Sequence, residues 1–117
     1  MSLFADAEEW QLSVGARTWA GLAWGSTDAP PALLLHGWLD NAGSFAPLAR
    51  CLPGRRVWVP DLPGHGRSGH RPPGCWYHFV DYVSDLFALT QALGLQRFDF
   101  IGHSMGSAIA TLMAAAF

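Results

Sequence analysis

Charge is scarce in this chain. Of its 117 residues only 14% are Asp, Glu, Lys or Arg, and the formal net charge is -2. With no basic excess there is nothing to neutralise a phosphate backbone, so nucleic acid is excluded as a natural partner. Cysteine is scarce too. Cys51 and Cys75 fit no metal-binding or redox spacing, and we read them as unpaired reduced thiols of a cytoplasmic protein. Long apolar runs are missing. The longest, Ala108 to Phe117, is half of the roughly 20 residues a membrane span requires, so no membrane association is expected. The segment Met1 to Glu9 lacks the basic and apolar regions of a signal peptide. No internal repeat or low-complexity tract is visible.

What is present is a core-forming composition: half of the residues are hydrophobic, which argues against disorder. The length suits one small domain. Strand and helix signals alternate, which predicts βαβ units and a mostly parallel sheet. Residues 9–14 and 17–24 read as an antiparallel hairpin around Gly15-Ala16. Ala32-Leu33-Leu34-Leu35 is a short apolar strand of the kind that is covered on both faces. Ser44 is placed to cap a short helix reaching Leu52. Residues 56–60 form the next strand. Residues 62–74 form a loop rich in Gly, Pro and His. A helix is predicted over 76–93, with Phe79, Val83, Leu86, Phe87, Thr90 and Leu93 on its buried face. Residues 97–101 are a further strand, and a last helix starts at Ser104. That helix carries no stop signal before Phe117.

Three segments carry the chemistry. Gly102-His103-Ser104-Met105-Gly106 fits G-x-S-x-G between a predicted strand and a predicted helix, the setting of a nucleophile elbow. Gly102 and Gly106, having no Cβ, let strand and helix pass close to each other. The helix start offers free N–H groups to an anion. The alternative is an ordinary capping serine on a Gly-rich turn. His36-Gly37-Trp38 follows the apolar strand, where a second oxyanion donor is expected from the backbone N–H of Trp38. Asp61-Leu62-Pro63-Gly64-His65-Gly66-Arg67-Ser68 reads as a rigid structural loop whose Asp61 accepts backbone N–H groups. His65 and Ser68 are not read as a catalytic pair.

Together these ordered motifs resemble the α/β-hydrolase superfamily over about residues 10–117. The loop from His36 to Phe45 is especially similar to the serine-hydrolase-like branch of cofactor-free esterases. The resemblance implies a partial α/β-hydrolase fold: a mostly parallel sheet with an N-terminal antiparallel hairpin, ending after the elbow helix. Residues 1–117 would then be the N-terminal part of a single domain. It further implies that Ser104 attacks a carbonyl of a small-molecule ester or acyl compound while the Trp38 and Met105 N–H groups hold the oxyanion. No metal or organic cofactor is implied. Serine at the nucleophile position separates the chain from the dehalogenase and epoxide hydrolase branches, which use Asp there.

The family's acid and histidine follow the nucleophile in the chain, and no Asp, Glu or His follows Ser104 here. His36, His65, His70, His78 and His103 are read as structural or surface residues. The chain alone is therefore expected to be nearly inactive, with an exposed sheet edge that invites self-association. A non-catalytic interaction protein and an acyltransferase remain as alternatives. Trp38, Phe45 and Trp76 are either walls of an apolar pocket or core and loop-packing residues.

Overall fold

Apolar and polar residues alternate along β1 (Glu8–Val14), as they should in a strand with one face in the core and one in water. Its hairpin partner β2 (Arg17–Trp24) is buried along most of its length because it is also paired on its other side. A computed structural model describes residues 4–117 of the chain; Met1 to Leu3, part of the segment searched for a signal peptide, lie outside the described residues. Beyond the hairpin come β3 (Pro31–Leu35), α1 (Ala46–Arg50), β4 (Arg56–Pro60), α2 (Asp81–Ala92), β5 (Asp99–Gly102) and α3 (Met105–Ala116). The five strands form one mixed sheet in the order β1-β2-β4-β3-β5. Pairing is antiparallel from β1 to β4 and parallel from β4 to β5.

The central strand shows why a continuous apolar run was needed. Leu33 and Leu35 pack with Tyr82, Leu86, Leu89, Ile109 and Met113 on the side of α2 and α3. Ala32 and Leu34 pack with Ala46, Ala49, Val57 and Val59 on the side of α1. All three leucines are fully buried, each contributing about 1.5–3 kcal/mol of apolar burial. The chain crosses from β3 to β4 by way of α1, then returns past β3 to β5 by way of α2. Because parallel crossovers are right-handed, reversing direction puts α1 and α2 on opposite faces. The reversal leaves a crevice at the carboxyl ends of β3 and β5, the usual ligand position in such sheets.

Several local expectations are corrected. The helix predicted over 76–93 starts only at Asp81; residues 76–78 have no regular structure and 79–80 form a turn, with Asp81, Tyr82 and Val83 N–H groups bonded three residues back. Its fully buried stripe is Tyr82, Leu86, Leu89 and Thr90, turned toward Tyr82 from the predicted face; Val83, Phe87 and Leu93 still pack against the core, partly buried, while Phe79 is exposed. The rotation buries the Tyr82 ring beside the 61–69 loop, where its hydroxyl approaches the Pro63 carbonyl. Asn41, not Ser44, supplies the side-chain cap, accepting from Gly43 N–H at 2.9 Å ahead of a short 3-10 turn; α1 then ends at Arg50. Ser44 instead bonds the Asp40 carboxylate. The last strand is 99–102 rather than 97–101. No helix among the described residues is long and apolar enough to cross a membrane.

Candidate active site

The register of the sheet sets the site. Leu35 at the end of β3 lies beside Gly102 at the end of β5, and His103 N–H donates to the Leu35 carbonyl at 3.0 Å. The two chains leave the sheet side by side, one into His36-Gly37-Trp38 and the other into His103-Ser104-Met105. Contact is close enough to require glycine at 106 and to leave little room at 37. A Cβ on Gly106 would lie 2.2 Å from the Leu35 carbonyl oxygen. One on Gly37 would lie 3.2 Å from the Ser104 Cβ.

Only two non-glycine residues among those described have positive φ, and both are here: Leu39 at 64° and Ser104 at 53°. Ser104 combines that φ with a ψ of -120°, a region side-chain-bearing residues avoid. Its carbonyl accepts from Ser107 N–H at 3.0 Å, from the Ser107 hydroxyl at 2.6 Å and from Ala108 N–H at 3.3 Å, which opens α3. Its own hydroxyl makes no capping bond. An ordinary N-cap serine has extended backbone and a hydroxyl turned onto the helix, so Ser104 is not one. It is solvent-exposed at the start of a 12-residue helix.

The loop after β3 is fastened to the loop after β4. Leu62 N–H donates to His36 Nε2 at 3.0 Å, so that nitrogen carries no proton. His36 Nδ1–H therefore donates to the Gly37 carbonyl, 2.7 Å away. Burial, above all, holds the His36 pKa below the ordinary histidine value and keeps the ring neutral. His65 repeats the pattern: Leu39 N–H donates to its Nε2 at 3.0 Å, and its Nδ1 lies 3.1 Å from the Pro63 carbonyl. Asp61 accepts Ala42 N–H at 2.7 Å and Arg67 N–H at 3.1 Å, bridging both loops. Ser68 ties its loop to Ala20 on β2, accepting that N–H at 2.9 Å. The lone pair a base needs is thus already used on both His36 and His65.

The remaining site candidates separate clearly. Trp38 is 54% exposed, with its indole edge-on to His65 at 5.3 Å. Neither the Trp38 nor the Met105 N–H has an acceptor among the described residues. Phe45 belongs to the core beneath α1 but also lines a cavity of about 350 Å³ with Asp40, Ser44, Pro47, Leu48 and His103. Asp40 at this cavity is held below the usual carboxylate range, chiefly by the Ser44 hydroxyl, and is ionised. Trp76 is 75% exposed, its ring tilted at 31° to that of His78 with the centroids 6.0 Å apart. His70, His78 and His103 are exposed. No cluster of His, Cys, Asp and Glu among the described residues is placed to hold a metal. Cys51 and Cys75 are exposed and unpaired. The role of His65 was missed in the sequence, because nothing local signals which N–H its ring will meet 26 residues away.

Comparison with known proteins agrees with this fold. A family profile for the alpha/beta hydrolase fold matches residues 30–117. A serine hydrolase-like protein of Danio rerio is 44% identical over 110 residues, covering 93% of this chain and 34% of the relative. A human serine hydrolase-like protein is 45% identical over 91 residues, covering 77% of this chain and 45% of its own length. The structure of a hypothetical protein from Pseudomonas aeruginosa superposes with a TM-score of 0.89 at 42% identity, over 93% of this chain and 39% of that one. The chain therefore spans less than half the length of these relatives. With the profile covering most of its residues, the strand-elbow-helix at Ser104 and the crevice beside it, the chain belongs to the alpha/beta hydrolase fold family.

Proposed function

We propose that Ser104 is the nucleophile of a serine hydrolase acting on carboxylic esters or related acyl compounds. The observation that carries this reading is a serine held in a strained backbone conformation with its hydroxyl uncommitted to the helix it precedes. Strain of this kind, costing about 1–3 kcal/mol, persists where surrounding structure enforces it and clusters at active sites. In the proposed reaction the Ser104 oxygen attacks the carbonyl carbon and forms a tetrahedral adduct. The Trp38 and Met105 N–H groups receive its oxyanion, each such donor contributing about 2.7–4 kcal/mol in the transition state. Collapse expels the alcohol, and water then cleaves the acyl-serine. Transfer of the acyl group to another acceptor uses the same first half.

A serine hydroxyl needs a base. The lone pairs of His36 and His65 are occupied, and no Asp, Glu or His follows Ser104. The chain spans less than half the length of the relatives it matches, and we propose that the base and its acid partner come from the remainder of that length, which predicts negligible ester turnover by these 117 residues alone. In the full-length protein, Ser104→Ala should abolish hydrolysis of p-nitrophenyl acetate and labelling by a fluorophosphonate while the far-ultraviolet circular dichroism stays unchanged. Retained turnover refutes the assignment. A second reading, a non-catalytic protein that captures a partner strand, draws on β5, which is paired only with β3 among the described residues. Full-length protein that lacks both turnover and labelling but binds an extended peptide would favour it.

A further inference from the structure

The turn bearing Trp38 is strained, and one side chain from another loop reaches into it. Asp40 N–H donates to the Gly37 carbonyl at 3.2 Å, closing a turn with Trp38 and Leu39 at its centre. Leu39 takes the positive φ that such a turn favours for glycine. It is also 80% exposed, so burial of its side chain does not hold it there. Three cross-loop hydrogen bonds fasten the segment: Leu62 N–H to His36 before the turn, Ala42 N–H to Asp61 after it, and Leu39 N–H to His65 Nε2 within it. Only the last engages the strained residue.

Peptide geometry makes that contact consequential. The Gly37 carbonyl and the Trp38 N–H belong to one trans peptide, so they point in opposite directions. The carbonyl is held by His36 Nδ1–H and Asp40 N–H. The next peptide carries the Leu39 N–H, held by His65. With the planes on both sides of Trp38 Cα fastened, its N–H has one direction, away from the Gly37 carbonyl. We infer that His65 is a positioning residue: its neutral Nδ1–H imidazole, by accepting the Leu39 N–H, holds the turn that aims the Trp38 N–H at the oxyanion. This role rests on the proposed oxyanion assignment of Trp38. The Pro63 carbonyl selects the tautomer by accepting Nδ1–H, and the Trp38 indole shields the ring.

The test uses the full-length protein with p-nitrophenyl acetate. His65→Leu removes the acceptor; His65→Gln places an amide oxygen near the Nε2 position and restores it. His65→Leu should lower kcat by about 10- to 100-fold with little change in KM, as expected when a transition-state donor is displaced by an ångström. His65→Gln should recover most of the loss. An unchanged kcat in His65→Leu, or a Gln variant as impaired as the Leu variant, overturns the inference. Should His65→Leu fail to fold, the imidazole 15N shifts of the wild type decide. A protonated Nδ1 and an unprotonated Nε2 support the clamp; the opposite tautomer refutes it. Failure of the underlying reading is separate: it would appear as turnover surviving Ser104→Ala, which the nitrogen shifts do not report.

Discussion

Replacing Ser104 by glycine should make the protein more stable while destroying its nucleophile. At φ 53° and ψ -120° a Cβ is strained, by about 1–3 kcal/mol for conformations of this class. Glycine removes the strain but costs about 0.5–1 kcal/mol in unfolded-state entropy. The hydroxyl makes no bond to the helix, so little else is lost. The net gain should be about 1 kcal/mol. Ser104→Ala is the necessary control, because it removes the same hydroxyl and keeps the Cβ. Its stability should stay close to wild type. Guanidinium unfolding of the three proteins, compared at equal m-value, should rank Gly above Ala and place Ala beside Ser. A Gly variant equal to or less stable than the Ala variant would show that the elbow stores no strain, and the chief support for Ser104 as nucleophile would go with it.

Other expectations follow from the same contacts. Gly106→Ala would put a Cβ 2.2 Å from the Leu35 carbonyl oxygen; the resulting shift of about 1 Å should cost about 1–3 kcal/mol and slow fluorophosphonate labelling of Ser104, whereas unchanged labelling would mean that helix and strand need not touch. Asp85 pairs with the buried Arg71 at 2.6 Å, so Asp85→Ala should cost about 3 kcal/mol in denaturant unfolding, while Glu9→Ala, which breaks an exposed pair with Arg67, should barely register. Because the folded His36 pKa is lowered, the unfolded chain binds more protons below the ordinary value of 6.5. Stability from this group is complete above pH 6.5 and declines as pH falls through that value toward the folded pKa. His36→Gln should flatten that part of the pH–stability curve, and an unaltered slope would dissociate His36 from it.

Much of the site was legible because its signals are local. A central strand covered on both faces must be apolar at every position, and Leu33, Leu34 and Leu35 announced it. An elbow that brings helix and strand backbones together needs glycine, and Gly102 and Gly106 marked the place. Asp61 was legible for a similar local reason, since a Gly- and Pro-rich turn leaves an N–H for a carboxylate, and it accepts that of Arg67 six residues on. Legibility failed where the partner lay far away in sequence. The face of α2 was set by Tyr82 meeting the 61–69 loop, which helical periodicity alone does not encode. The helix began late, since the turns at 78–80 satisfy the same N–H groups that a further helical turn would use.

By itself, then, the sequence determined the order of strands and helices, the apolar centre of the sheet and the identity of the strained serine, since each depends on residues adjacent in the chain or repeating at a short period. Only the tertiary structure decided that β3 and β5 end side by side, that His36 and His65 have given up their lone pairs to backbone donors, and that a leucine rather than a glycine occupies the left-handed position beside Trp38. These are properties of hydrogen bonds across loops, and such bonds exist only after the sheet has set which loop ends are neighbours.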